Sequence, residues 1–220
     1  SKTTPEWLRD IPLWLMDWVP PEENGEPLPT SLRFDADRPG PDDWYRDPIR
    51  LREELGTPIG YHVYNWHSIP FNNDYPHFLP ARERFIRALP ELRRAGVRVM
   101  PYINALLWDT RDREDRDFEF SSVGRAGAVK RENGEPAVLT YESRERDGSR
   151  VELAPECPSA EVWREKLAAL CGAMFRELGV DAIYLDQIGA RAPHLCMDRT
   201  HPHEPGGGSW WREAYTELMG

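Results

Sequence analysis

The stretch that decides the fold is VDAIYLDQIG, residues 180–189. It holds a short apolar run that ends at Asp186, made up of Val180, Ala182, Ile183 and Leu185. An apolar run closed by polar residues and glycine predicts a buried strand followed by a turn. Asp186 therefore stands where the chain leaves the core, and its role depends on the segments that lie beside this strand.

Three more apolar runs predict strands, at residues 11–18, 59–67 and 97–108, and the fourth strand covers 181–189. Apolar residues at helical spacing predict helices between and after them, at 48–56, 81–96, 159–179 and 209–219. Ser159 is placed to cap the third helix, and Pro90 is expected to kink or split the second. Strands that alternate with helices predict an α/β fold with a parallel sheet.

The long segment between the third and fourth strands, about 126–156, predicts an inserted antiparallel β-ribbon. Its turn signals are Asn133-Gly134 and Asp147-Gly148. The remaining pattern shows no internal repeat, so residues 1–220 are predicted to form one domain.

Charge and composition exclude several classes of protein. The formal net charge is −10, and only Lys2, Lys130 and Lys166 are lysines. The sequence therefore predicts neither a nucleic-acid nor a membrane partner, because both need basic patches. There is no apolar run of about 20 residues and no signal-peptide pattern. Three cysteines without a CxxC pair give no disulfide framework, which leaves the location open and slightly favours the cytoplasm.

Each predicted strand ends in polar or aromatic residues. These are Asp17 and Trp18, then Trp66 and His67, then Asn104 through Trp108, and finally Asp186 and Gln187. In parallel α/β folds ligands bind at the carboxyl ends of the strands. Carboxylates, amides and indole rings together suit a sugar, so we predict a carbohydrate substrate. The structural alternatives are turn capping for Asp17, core packing for the tryptophans, and internal hydrogen bonds for Asn104 and His67.

The loop at 194–203 contains residue types that bind metals, namely His194, Cys196, Asp198, His201 and His203. Their spacing matches no established ligand pattern, so the sequence predicts no metal and no cofactor. We expect this loop to cover the site beside Asp186, with His194 or His201 bound to substrate. Trp210 follows the glycines at 206–208 and is a further candidate for substrate contact, with packing as its alternative.

Two segments, GVDAIYLDQIGA (179–190) and HLCMDRTHPHEPGGGSWWREAY (194–215), resemble the DUF6259-type glycoside-hydrolase-like family of bacterial proteins. That family is distantly similar to the barrels of retaining α-galactosidases and endo-α-N-acetylgalactosaminidases. The resemblance implies a (β/α)8 TIM barrel, of which this chain supplies about the first four βα units. It also implies that Asp186 is the nucleophile and that Asp17 accepts hydrogen bonds from sugar hydroxyls. The acid/base carboxylate of that clan lies near strand six, beyond these four units.

The sequence therefore predicts hydrolysis of an O-glycosidic bond, with Asp17 or Asp109 as a candidate neighbour of Asp186. Two alternatives stay open: a non-catalytic carbohydrate-binding half-barrel, and a metal-dependent hydrolase that uses the loop 194–203. An exposed sheet edge after strand four would favour a homodimer or a separate C-terminal half. As an isolated fragment, such a glycosidase would be expected to lack activity.

Overall fold

The computed structural model describes residues 4–17, 22–23, 26–27, 44–64, 66–112, 119–145 and 147–219. Its strands are β1 (Trp14–Asp17), β2 (Glu22–Glu23), β3 (Glu26–Pro27), β4 (Ile59–Val63), β5 (Val97–Asn104), β6 (Leu107–Asp109), β7 (Leu139–Arg144), β8 (Arg150–Pro155) and β9 (Tyr184–Asp186). Its helices are α1 (Glu6–Arg9), α2 (Arg46–Leu55), α3 (Glu83–Arg94), α4 (Arg125–Gly127), α5 (Glu161–Ala173) and α6 (Trp210–Met219), with π-helical turns at Phe120–Gly124 and Met174–Leu178.

The central layer is a four-stranded sheet in the order β1-β4-β5-β9, and every neighbouring pair is parallel. These are the four predicted strands, each shorter than its apolar run, and the predicted α/β architecture with a parallel sheet is confirmed. Each strand pairs with the next member of the sheet in chain order, so the order never reverses. A doubly wound sheet would reverse its order at a switch point.

Helices α2 and α3 pack against the sheet. α3 connects β4 to β5 and buries Phe85, Leu89 and Leu92 against it. Pro90 does not split α3, which runs as one helix from Glu83 to Arg94 with buried side chains on both sides of the proline. The predicted cap of α5 is also wrong, because Ser159 makes no capping hydrogen bond and Ala160 occupies the cap position.

A second sheet, in the order β6-β8-β7, is antiparallel and lies in the connection between β5 and α5. Its strands β7 and β8 are the two strands of the ribbon that the sequence predicts. They are joined by the predicted turn, where Gly148 has a φ of +84° and donates its N–H to the carbonyl of Glu145 at 2.9 Å. The second sheet is tied to the rest of the domain through β6, where the Asp109 N–H donates to the Tyr75 carbonyl at 2.8 Å.

Three tryptophans lie at the centre of the packing. Trp66, Trp108 and Trp163 have no exposed surface. The Trp108 and Trp163 rings lie 6.0 Å apart, while the Trp66 indole donates to the Tyr102 carbonyl at 2.6 Å. Much of the tryptophan content therefore stabilises the core. In the described part of the chain no helix combines the length and apolar character needed to cross a membrane.

Candidate active site

Asp186 is the last residue of β9 and lies beside the last residue of β5, since Asn104 and Asp186 are register partners. The Tyr102 hydroxyl donates to Asp186 Oδ2 at 3.2 Å. Burial, together with Tyr75 and Asp186, raises the pKa of Tyr102 well above its ordinary value. Tyr102 therefore stays protonated at neutral pH, and its hydrogen bond orients the carboxyl group of Asp186.

Below Asp186 lies an aromatic layer formed by His62, Tyr64, Tyr102 and Tyr184. Tyr102 and Tyr184 are register partners two residues before Asn104 and Asp186, which places them on the same face of the sheet. The His62 ring lies 4.3 Å from that of Tyr184, and the Tyr64 ring stacks on that of Tyr102 at 4.7 Å. Burial lowers the pKa of His62 to about 4, so its imidazole is neutral at pH 7. Asp186 thus lies above a layer of packed, uncharged aromatic rings.

The backbone turns sharply directly after Asp186. Gln187 has a φ of +67°, in the left-handed region where a side chain other than glycine is strained. Its Nε2 lies 3.4 Å from the Tyr141 hydroxyl of the ribbon, and its Oε1 is buried with no hydrogen-bond partner among the described residues. A strained backbone that carries an unsatisfied amide beside a carboxylate is typical of a functional site.

An open cleft of about 650 Å³ begins at this turn, and it is lined by Asp186, Gln187, Ala190, Arg191, Ala192, Pro193 and His194. The predicted residues Asp186, Gln187 and His194 therefore come together. Burial and then the charge of Arg191 lower the pKa of His194, so its imidazole is neutral at pH 7. The cleft offers a carboxylate, an amide, an imidazole and a guanidinium group, all of which bind hydroxyl groups.

Several predicted substrate contacts are core residues instead. Trp66, His67, Asn104 and Trp108 have no exposed surface, and a side chain with no exposed surface cannot bind a sugar. His67 Nδ1 pairs with the Ile69 carbonyl at 2.8 Å, and burial lowers its pKa to about 3. The Asn104 side-chain oxygen accepts the N–H groups of the next turn, at residues 106 and 107, both at 2.9 Å.

Asp109 is also a core residue, although the sequence makes it a candidate neighbour of Asp186. It has no exposed surface, and its carboxyl oxygens accept the N–H groups of Asp74 and Arg111, both at 2.9 Å. Burial raises the pKa of Asp109 to about 6. These bonds fix the end of β6, so Asp109 holds the base of the ribbon rather than facing the cleft.

The remaining predicted residues are placed as follows. Asp17 ends β1 and pairs with Val63, while Trp18 lies outside the described residues. β4 and β5 lie between β1 and β9, so at ordinary strand spacing the distance from β1 to β9 across the sheet is about 14 Å. Trp210 is half-buried and stacks on the His203 ring at 3.6 Å. His201 is buried in a separate cluster with Cys157, Cys196 and His203, which is the metal-capable group of the described residues.

Comparison with known proteins places the chain in a family. The model of a "Domain of unknown function (DUF6259)" matches residues 1–220. The chain belongs to the DUF6259 family. A relative from Bacteroides thetaiotaomicron, named "Putative glycoside hydrolase", is 28% identical over 214 residues, which make up 97% of this chain and 27% of the relative. The DUF6259 chain thus spans about a quarter of that relative's length.

Solved structures of glycosidases share the fold. An α-N-acetylgalactosaminidase from Bifidobacterium bifidum, bound to GalNAc, has a TM-score of 0.61 at 16% identity and covers 94% of the DUF6259 chain and 31% of its own. An α-galactosidase from Thermus thermophilus, bound to p-nitrophenyl α-D-galactopyranoside, has a TM-score of 0.54 at 16% identity, with 95% and 36% covered. At these identities the likeness concerns the fold. Together with the family match, it confirms the glycoside-hydrolase-like resemblance seen in the sequence.

The tyrosines around Asp186 were not among the predicted site residues. Tyr102 and Tyr184 lie two positions before Asn104 and Asp186, and strand alternation places them on the same face as Asp186. That alternation was available as a signal in the sequence. Tyr141 could not be found this way, because it reaches Gln187 from the ribbon.

Proposed function

We propose that this domain forms the first part of a (β/α)8 barrel in a glycoside hydrolase, with Asp186 as the nucleophile that attacks the anomeric carbon. The observation that carries the proposal is the position of Asp186. It ends a parallel strand, accepts a hydrogen bond from Tyr102 and lines an open cleft beside Gln187 and His194. Active sites of such barrels lie at this end of the strands.

The sheet supports the barrel part of the proposal. Four parallel strands follow one another in chain order without reversal, as they do in a closed barrel. The face that carries the aromatic layer has large exposed side chains, with Met16 60% and Tyr184 38% exposed. In a barrel this face is the interior, and further strands would cover it.

The chemistry is a double displacement. A carboxylate oxygen of Asp186 forms a bond to the anomeric carbon while the glycosidic carbon–oxygen bond breaks, and the leaving oxygen takes a proton from a second carboxylic acid. In the clan that the sequence resembles, this acid lies near strand six. Water then hydrolyses the glycosyl ester and gives a proton to the second carboxylate, which restores that acid, returns Asp186 as a carboxylate and releases the sugar.

The cleft residues have defined tasks in this reaction. Tyr102 orients the nucleophile through its hydroxyl, while Gln187, Arg191 and His194 bind substrate hydroxyls from the cleft wall. Asp17, at the end of β1, is proposed to accept hydrogen bonds from hydroxyls on the opposite side of the sugar, because β4 and β5 lie between β1 and β9 in the sheet. The relatives that are glycosidases favour a carbohydrate as the substrate class.

The test is covalent labelling of the full chain with a panel of activated 2-fluoro-glycosyl fluorides, followed by intact mass. Fluoride leaves without a proton donor, so labelling reports the nucleophile alone. We expect a mass gain of one sugar from at least one reagent in the parent chain, and none in Asp186→Asn. Asp181→Asn is the matched control, because Asp181 lies on the same run outside the cleft lining.

Labelling of the Asp186→Asn variant at the parental site would refute the role of Asp186. Absence of labelling with every sugar would also refute a covalent role. Protection of the cleft by a sugar without turnover would then favour the non-catalytic carbohydrate-binding module.

A further inference from the structure

A second cluster of chemically active side chains is formed by Cys157, just after β8, and by three residues of the loop between β9 and α6. The Sγ atoms of Cys157 and Cys196 and one ring nitrogen from each of His201 and His203 all lie within 4.8 Å of one another. Cys157, Cys196 and His201 are buried, and His203 is half-buried. None of the four lines the cleft beside Asp186.

The two histidines are held so that each keeps one nitrogen for the cluster. His201 Nε2 pairs with the Ala126 carbonyl at 3.0 Å, which leaves Nδ1 as the nitrogen 3.4 Å from Cys196 Sγ. His203 Nδ1 pairs with the Glu204 carbonyl at 2.8 Å, and its Nε2 is buried without a hydrogen-bond partner among the described residues. Metal-binding histidines are typically fixed in this way, with the second ring N–H donated to a carbonyl group.

The distances suit a tetrahedral zinc ion. With Zn–S bonds of about 2.3 Å and Zn–N bonds of about 2.05 Å, neighbouring S and N ligands lie about 3.5 Å apart. The distance of 3.4 Å between Cys196 Sγ and His201 Nδ1 agrees with this ligand–ligand separation. Two thiolates and two neutral imidazoles also balance the charge of a divalent ion, which burial of the site requires.

We propose that Cys157, Cys196, His201 and His203 bind one structural Zn²⁺ ion. On binding, each of the two thiols loses its proton to solvent and the thiolate sulfur bonds to the metal. Four protein ligands fill the tetrahedral shell, so no position is left for water or substrate. The ion therefore has a structural role, unlike the metal-dependent hydrolase that the sequence left as an alternative.

The ion would fix the loop that forms the cleft. Residues 187–209 contain no helix or strand beyond the bridge in which Cys196 and Gly206 exchange hydrogen bonds of 3.0 and 2.7 Å. A loop of this length is seldom ordered without a restraint. Cys157 lies just after β8, so the ion would join the end of the ribbon to the loop that carries His194 into the cleft.

The spacing of the ligands explains why the zinc site was not predicted from the residue pattern. Three ligands lie together in CMDRTHPH, residues 196–203, but the fourth comes from Cys157 on the other side of α5 and β9. Only the fold brings it to the loop.

The experiment measures metal in the full chain, purified under reducing conditions and equilibrated with Zn²⁺ or Co²⁺. We expect one equivalent of zinc, and a cobalt spectrum with tetrahedral bands and a thiolate-to-metal charge-transfer band. Cys157→Ser should lose most of the charge-transfer intensity and the tight binding. Cys171→Ser is the matched control, because Cys171 lies within α5 outside the cluster, and it should match the parent.

His203→Ala gives a second measurement that does not remove a sulfur. It should keep the thiolate charge-transfer band while the ligand-field bands move, because water replaces one imidazole. The proposal is overturned if the parent binds neither metal, or if Cys157→Ser binds as the parent does with an unchanged spectrum. A Cys157–Cys196 disulfide in the chain purified under reducing conditions would overturn it as well.

Discussion

The two aspartates of the stretch 180–189 should have opposite roles, which a pair of isosteric substitutions can separate. Asp181 is a structural residue: its Oδ1 accepts from Arg98 at 2.7 Å and its Oδ2 accepts the Val99 N–H at 2.9 Å. Asp186 faces the cleft, and its Oδ2 accepts a hydrogen bond from the Tyr102 hydroxyl at 3.2 Å. We predict that Asp181→Asn lowers stability and leaves labelling intact. Asp186→Asn should leave stability nearly unchanged and remove labelling.

The magnitudes follow from these contacts. A hydrogen bond to a charged group contributes about 1.5–3 kcal/mol, and an exposed ion pair contributes about 0–1 kcal/mol. The Arg98 side chain is 41% exposed and asparagine keeps a neutral acceptor, so Asp181→Asn should cost about 1–2 kcal/mol. For a chain of this size that corresponds to a decrease in Tm of about 2–8 °C. Asp186→Asn should change the free energy of unfolding by less than about 0.5 kcal/mol.

The assay combines thermal unfolding at pH 7 with the 2-fluoro-glycosyl labelling rate, measured well below the Tm of each variant. Asp181→Asn should label at the parental rate, whereas Asp186→Asn should label at least about 10³-fold more slowly. Equal Tm losses for the two variants would refute the division of roles. Loss of labelling in a folded Asp181→Asn variant would show that Asp181 also belongs to the site.

Three further predictions concern the packing and its pH dependence. Burial lowers the pKa of His67 from 6.5 to about 3, so between these pH values the unfolded state binds more protons than the folded state. The parent should therefore lose stability as the pH falls from 7 to 3, and His67→Gln should reduce this loss by an amount on the order of 4 kcal/mol, measured by urea unfolding. Glu156 is fully buried with a raised pKa, and neither of its carboxyl oxygens has a hydrogen-bond partner among the described residues. Because the parent loses stability as the pH rises above 4.5, Glu156→Gln should become more stable relative to the parent, by at most about 1.4 kcal/mol per pH unit. A Cβ atom on Gly60 would lie 2.3 Å from the Trp14 ring, so Gly60→Ala should lower the free energy of unfolding by about 1–3 kcal/mol, measured in urea. Trp14→Ala should relieve that cost in the double variant, whereas additive costs would contradict the clash.

The parallel sheet was predictable because each strand is a short apolar run with a helix after it, and local periodicity reports this directly. Strand length was less predictable. The run at 181–189 is strand only over Tyr184–Asp186, because Asp181 uses its side chain to bind β5 before pairing begins. Pro90 does not split α3, since packing against the sheet outweighs the local preference of proline.

The site was predictable in part. Asp186, Gln187 and His194 are near one another in the chain, so the cleft they line follows from local sequence. Trp66 and Trp108 looked equally suited to a pocket, and only three-dimensional packing shows that they are buried. Cys157 and Tyr141 reach their partners across long separations, which a single sequence does not reveal.

The ribbon has a consequence for how such domains diversify. The second sheet, which contains the ribbon, begins and ends at register partners, Leu107 and Pro155, so the chain enters and leaves this insertion at nearly the same point. An insertion with adjoining ends can be shortened, extended or exchanged while β5 and α5 keep their positions. Since its Tyr141 contacts Gln187 beside Asp186, each exchange would present a new surface to the same carboxylate. The insertion can therefore vary among related domains and change the groups beside Asp186 while the parallel sheet stays the same.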